Sequence, residues 1–369
     1  MRGIVYTGEK AEVTNDLEVR PPGPAEVKVR MVAAGVCHSD VSVINRTIPW
    51  PSPAVLGHEG AGIVEEVGAE VTSVKPGDHV VCTTLANCGR CEACSTGHPT
   101  WCKSSMGNMG KPFTLNGEPA WNFAASSYFA EQTVISAIQA VKIPDDVPLT
   151  SACLIGCGVV TGVGAVLNRA RVSYGETAVV FGVGGVGLNV IQGLRIARAS
   201  RIIAIDTVPS KEALARQFGA TDFIDASQSG IDVVAAVREL MPFSDSKTVG
   251  TMNAGGVNWA FDCVGHPTLI RQGMEMLNWG GNVVVIGVPP PGTDLQIPVW
   301  LLNHVDRGIM GCRYGSIRPH HDVPVLVELY RSGQLMLDEL VSETYPLEEF
   351  NTVVEDMHEG RLARGVLTF

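Results

Sequence analysis

The run TAVVFGVGGVGLNVIQGLRIARASRIIAID (177–206) leaves this chain few folds to choose from. The apolar stretch AVVF has no polar alternation, so it must be buried on both faces, as a strand inside a parallel sheet is. Gly182-Val183-Gly184-Gly185-Val186-Gly187 follows at once. Gly182 and Gly184 permit a tight turn and close backbone approach to a pyrophosphate. Gly187 lets the following helix pack tightly on the strand. Gly185 and Val186 complete the motif, and the N-terminus of the following helix faces the phosphates. A lone GxGxxG is weak evidence. Here a strand precedes it, a helix-compatible segment follows, and the strand RIIAID ends in Asp206, nineteen residues beyond Gly187. Asp206 is suited to accept hydrogen bonds from ribose hydroxyls and to repel a 2′-phosphate. The expected cofactor is therefore NAD rather than NADP.

A chain of 369 residues is too long for one ordinary core. Up to about residue 150 it shows short β-like runs, VKVRMVAAGV (27–36), GAGIVEEV (60–67) and DHVVCTTL (78–85), broken by Gly, Pro and Asp. From residue 159 buried-strand runs alternate with helical segments. From 312 that alternation stops, and the chain ends in the strand-like RGVLTF. MPFSDSKTVGTMNAGGVN (241–258) reads as a surface loop. A net charge of −11 excludes the basic footprint of a nucleic-acid binder. No apolar run reaches membrane-helix length. The first twenty residues are charged throughout and lack a signal-peptide core, so the expected address is cytoplasmic.

In a reducing compartment, ten cysteines point to ligands or buried thiols rather than disulfides. Cys88, Cys91, Cys94 and Cys102 have the spacing C-x2-C-x2-C-x7-C, with Gly89 and Gly97 where a chain wrapping a metal must turn. Four thiolates close a tetrahedral zinc shell and leave no open position, which is a structural site. Four cysteines also hold iron–sulfur clusters, though in other common spacings. His98 is expected to be a solvated loop residue.

GHEGAGIVEEVG, KPGDHV, the four-cysteine lobe, ACLIGCG and FGVGGVG occur in this order. Over essentially its whole length the chain resembles the zinc-dependent medium-chain alcohol dehydrogenases. The resemblance implies an α/β protein with a GroES-like β-rich catalytic domain (1–158), interrupted by a Rossmann doubly wound parallel-sheet domain (159–311) and completed by 312–369. It implies a catalytic zinc on Cys37, His58 and Cys157 with its fourth position open to substrate. It also implies a carboxylate near the metal, Glu59, that assists ligand exchange, and another, Asp40, that orients the ligating imidazole. Ser39 would begin a proton relay. Many relatives place a histidine three residues later, where this chain has Ser42, a hydroxyl that relays a proton but is no base near neutral pH. Cys82, Cys153, Cys263 and Cys312 match no ligand motif and are expected to be buried thiols.

By the same resemblance His38 and Arg364 face the pyrophosphate, Lys211 lies near the adenosine ribose, Thr161 adjoins the nicotinamide, and Val288 contacts the cofactor where the substrate pocket begins. Thr84, Trp121, Phe123, Ile286, Arg313 and Tyr314 would line the substrate pocket. Thr84 replaces a frequent aromatic and widens it, and Arg313 either grips an anion or points to solvent. The implied activity is reversible hydride transfer between a primary alcohol or aldehyde and NAD. Glutathione-dependent formaldehyde dehydrogenases of this family carry an anion-binding Arg and an acidic pocket residue where this chain has Met106 and Ile48. The step Tyr314-Gly315 and the C-terminal style are closer to actinobacterial members, among them mycothiol-dependent formaldehyde dehydrogenases and nicotinoprotein alcohol dehydrogenases with bound NAD. A non-catalytic NAD-binding redox sensor needs no open zinc, and a zinc-free reductase of the same superfold would lack these ligands. Family members pair through Rossmann edge strands, so a homodimer or homotetramer is expected, with LQIPVWLLNHV (295–305) as the candidate edge.

Overall fold

The computed structural model of the chain describes residues 1–106, 109–241, 248–249, 252–253 and 255–369. Half of the segment 241–258, expected to be a surface loop, lies outside them, and its last two residues, Val257 and Asn258, open a strand whose first residue is fully buried. The chain forms two compact units, Met1–Val160 with Ile317–Phe369, and Thr161–Ser316.

In the first unit the strand Glu26–Gly35 shows how pattern becomes position. Val27, Val29 and Met31 are buried while Lys28 and Arg30 face outward, the period of two of a half-buried strand. At Ala33–Gly35 the alternation stops and every residue is buried. There the strand is covered by the C-terminal strand Arg364–Thr368, with Gly35 opposite Val366. On its other side it pairs with Glu59–Val67, and the register sets Gly35 opposite Glu59. Cys37 follows Gly35 by two residues and His58 precedes Glu59 by one. The ladder therefore brings two distant stretches of chain side by side. Glycine at position 35 makes room for this crossing, because a Cβ there would lie 2.5 Å from Glu59 Oε2 and 2.7 Å from Leu154 and would require those side chains to shift.

The second unit is built on six parallel strands in the order Asp222–Asp225, Arg201–Asp206, Thr177–Phe181, Val257–Asp262, Leu277–Val285 and Gly308–Gly311. Val179, Val180, Ile203, Ala204, Ala260, Phe261, Val283 and Val284 are fully buried, as strands covered on both faces require. Strand order reverses between Thr177–Phe181 and Val257–Asp262. Such a switch point opens a crevice at the carboxyl ends of the strands, and Gly182 begins there.

The apolar stretch 295–305 is not the sheet edge. The edge strand is Gly308–Gly311, and the earlier stretch carries a short helix, Trp300–Asn303. Pro298 has no N–H to give a ladder, and its carbonyl instead accepts Leu301 N in a turn at 3.1 Å. Leu301 and Val305 point into the core while Val299 is 72% exposed. No single helix among the described residues is long and apolar enough to cross a membrane.

The packing of the glycine loop makes a sharp demand. A Cβ on Gly187 would lie 1.8 Å from the Gly182 carbonyl oxygen, a backbone atom that cannot rotate away. Gly187→Ala is expected to lower unfolding free energy by about 3 kcal/mol, the upper end for overpacking. Urea titration checks it, and an unchanged midpoint would contradict the packing described.

Candidate functional site

Two groups of ligating side chains come together among the described residues: Cys88, Cys91, Cys94 and Cys102, and Cys37, His58 and Glu59. In each group the ligand atoms lie within 4.8 Å of one another. Both lie in the first unit.

The second group is organised by Asp40. Its Oδ2 accepts the N–H of Cys37 at 3.2 Å, and its Oδ1 accepts the N–H of Gly57 at 3.0 Å. His58 Nδ1 lies 3.2 Å from the same Oδ1. A carboxylate can only accept, so Nδ1 carries the proton and Nε2 is left with its lone pair. Nε2 is buried and has no partner. Such an orphan is costly unless a cation takes it, so the residues fit a metal. Cys157 hydrogen-bonds the Cys37 sulfur, which together with His58 and Arg364 holds that thiol well below its usual pKa despite burial. Burial alone would lower the pKa of His58, but the charges of Asp40 and Cys37 outweigh it and raise it to about 10. Glu59, fully buried, accepts at Oε2 from the Arg364 guanidinium, and its Oε1 is unpartnered. Ser39 Oγ lies 4.0 Å from Cys37 Sγ.

The four-cysteine lobe is shaped as its spacing predicts. Gly89 and Gly97 have φ of +72° and +80°. The sulfurs of Cys91 and Cys94 are 3.6 Å apart, as are those of Cys88 and Cys102. Both separations are close to the ~3.8 Å edge of a tetrahedron with 2.3 Å zinc–sulfur bonds. No disulfide forms. For Cys102, burial opposes ionisation, but the backbone N–H groups of Cys88 and Ser104 outweigh it and the pKa falls to about 6. For Cys91 the backbone N–H of Cys94 favours the thiolate, yet burial and the neighbouring sulfurs push the pKa up to about 11. Four thiols this close do not all ionise without a cation among them. His98 is exposed and stacks on Trp101 at 4.2 Å.

In the second unit Gly182 has φ +85°, and a Cβ on Gly184 would meet nothing within 4 Å. Open space thus lies over the turn where a phosphate would approach, ahead of the helix Gly185–Ile196. Asp206 braces this turn. Its Oδ2 accepts Val183 N at 2.7 Å and its Oδ1 accepts Val208 N at 3.0 Å, while Lys211 Nζ sits 3.1 Å from Oδ2.

Residues 23–145 match the family described as Alcohol dehydrogenase GroES-like domain, and residues 185–332 match Zinc-binding dehydrogenase. An alcohol dehydrogenase class-3 of Cereibacter sphaeroides is 38% identical, the match covering 99% of this chain and 98% of that one. The chain belongs to the zinc-dependent medium-chain alcohol dehydrogenase family. An S-(hydroxymethyl)glutathione dehydrogenase of Escherichia coli is 37% identical over 98% of this chain and 97% of its own length. A solved benzyl alcohol dehydrogenase from Acinetobacter calcoaceticus superposes with a TM-score of 0.90 at 34% identity, with all of both chains covered.

Not every expected residue of this alcohol dehydrogenase sits where the resemblance put it. Arg364, expected to face a pyrophosphate, is 5% exposed and donates through Nη2 to Glu59, a partner 305 residues away that no local pattern reveals, while its Nε has no partner. Cys263, expected to be buried, is half-buried, since it follows the end of the strand Val257–Asp262. Cys82, Cys153 and Cys312 are buried. His38 is exposed at the start of its helix, and Ser42 is half-buried. Thr84, Trp121 and Phe123 belong to the first unit, while Thr161, Ile286, Val288, Arg313 and Tyr314 belong to the second. Arg313 and Val288 are exposed.

The dependence on Asp40 can be measured. Asp40→Asn loses the charge that fixes the His58 tautomer and is expected to weaken zinc binding about 10–100-fold. Competition with a chromophoric chelator reads this directly. In the lobe, Cys91→Ser is expected to remove about one zinc equivalent per chain and lower the melting temperature before it affects chemistry. Loss of turnover with melting temperature unchanged would contradict the structural role.

Proposed function

We propose that the chain is an NAD-dependent oxidoreductase that interconverts primary alcohols and aldehydes, with one catalytic and one structural zinc. The buried, unpartnered Nε2 of His58 carries this reading, because its tautomer is fixed by Asp40 and it lies beside the Cys37 sulfur. Cys37, His58 and Cys157 would hold the catalytic ion. Bound there, zinc supplies Lewis acidity that lowers the pKa of a hydroxyl.

The chain's own residues do the rest. Alcohol and NAD+ become aldehyde and NADH: the carbinol carbon gives up hydrogen with both bonding electrons to the nicotinamide, and the hydroxyl proton leaves to solvent. The Ser39 hydroxyl is the first station for that proton. Ser42 can pass a proton on but cannot keep it near neutral pH. The turn at Gly182–Gly187 supplies backbone N–H groups to the pyrophosphate, and Asp206 disfavours a 2′-phosphate. Relatives named for S-(hydroxymethyl)glutathione do not transfer their substrate here, because Met106 and Ile48 offer no charge at the two positions expected to grip it. The proposed solution state is a homodimer or homotetramer.

The test combines metal analysis with NAD reduction on primary aliphatic and arylic alcohols. About two zinc equivalents per chain and turnover with NAD but little with NADP are expected. NAD binding without turnover on any alcohol would overturn the reading. Ser42→His is expected to add a titration near the usual histidine pKa of about 6.5 to the pH profile of kcat/KM. An unchanged profile would show that no proton passes this position.

A further inference from the structure

Just ahead of the four-cysteine lobe, Asn87 is a polar residue where the chain is otherwise apolar. Leu85 and Ala86 before it are buried, and Asn87 itself is only 9% exposed. Its side-chain Nδ2 donates to the sulfur of Cys94 at 3.5 Å. Its Oδ1 is buried and has no partner. A buried amide with an orphaned oxygen is destabilising, and leucine, of similar size, would fill the same space without that penalty. Packing alone therefore does not account for an asparagine here. Its N–H must contribute more than its oxygen loses.

The sulfurs of the lobe supply the reason. Four thiolates around a divalent zinc leave two negative charges in excess, and N–H donors aimed at the sulfurs disperse that charge. Three of the ligands take such donors from the backbone. Cys102 Sγ accepts Cys88 N at 3.4 Å and also the N–H of Ser104. Cys88 is served by the N–H groups of Arg90 and Cys91, and Cys91 by that of Cys94. Donors of this kind are set by the path of the chain. Cys94 takes one from a side chain, that of Asn87 seven residues earlier. A thiolate only accepts, so the amide must present its nitrogen to the sulfur, and the oxygen is left unpartnered.

We infer that Asn87 is a positioning residue for the structural zinc. Its amide holds the Cys94 thiolate in the shell and draws off part of its charge, so retention of the ion depends on a residue outside the four ligands. The inference rests on the structural zinc proposed for the lobe and deepens it.

The zinc-loaded, full-length protein is mixed with a chromophoric chelator, and zinc release is followed in time. The phase absent from Cys91→Ser belongs to the lobe. Asn87→Leu keeps the bulk, removes the donor and removes the orphaned oxygen with it. It is expected to speed the lobe phase about 10–100-fold, the loss that follows removal of a metal ligand's hydrogen-bond partner, and to leave the other phase unchanged. Asn87→Gln, which returns an N–H, should recover most of the retention. With cobalt in place of zinc, the sulfur-to-metal charge-transfer bands should move to longer wavelength in Asn87→Leu and back in Asn87→Gln, a shift that altered packing alone does not produce. Should Asn87→Leu fail to fold, Asn87→Ala carries the same comparison. Release and spectrum unchanged in Asn87→Leu, with the melting temperature equal or higher, would reduce Asn87 to packing and overturn the inference while leaving the lobe zinc in place. Equal zinc content in the wild type and Cys91→Ser would remove the lobe zinc itself, and the inference with it.

Discussion

One buried carboxylate organises the metal-binding end of the first unit. Asp40 is fully buried, yet it accepts from Cys37 N, Gly57 N and the ring of His58. An isolated buried charge is expensive, and three donors on two oxygens are what make it tolerable. In return it joins the start of the helix His38–Ile44 to the end of a loop that approaches from elsewhere in the chain. The neighbouring strands do the coarse placement, through the Gly35–Glu59 register. Asp40 does the fine placement, since strand pairing fixes neither a tautomer nor a ring orientation.

The second unit solves a different problem with the same device. Asp206 also spends both oxygens on backbone N–H groups, and in doing so it braces the loop that carries Gly182 and Gly184. A glycine turn open enough for phosphate approach has few side chains to hold it still. A carboxylate at the end of the adjacent strand supplies the missing constraint from outside the loop. The same residue thereby ties the end of its own strand to the start of the turn.

How much of this was legible depended on whether a constraint was local. The glycine loop, its strand and Asp206 lie within thirty residues, and the lobe cysteines within fifteen, so spacing alone carried their geometry. Cys37, His58 and Cys157 share no short window and needed the resemblance. The Arg364–Glu59 pair needed the coordinates, because it is made by a closing strand whose register no pattern announces. The stretch 295–305 is apolar enough for an edge strand, but Pro298 has no N–H for a regular ladder, and the chain turns into the helix Trp300–Asn303 instead. Ala124 and Ala125 were invisible for a subtler reason. Alanine favours helices, and only the hydrogen bonds around it show that it has been forced into the left-handed region.

The charges around His58 close only when a divalent ion is added. Without one, a lowered Cys37 thiol and a raised His58 share a buried space with the orphaned Glu59 Oε1 and Arg364 Nε. Two thiolates would balance a divalent cation, and His58 would then be neutral, its Nε2 no longer orphaned. Glu59 and Arg364 cancel one another, which explains why a carboxylate so near the thiolates need not take the metal's charge for itself. Gly35 is part of the same arrangement, since any Cβ there would drive Glu59 away from the guanidinium. The close strand crossing, the buried ion pair and the unpartnered His58 Nε2 are thus one structural solution, in which the thiolates would balance a divalent ion and the Glu59–Arg364 pair would stay neutral beside it.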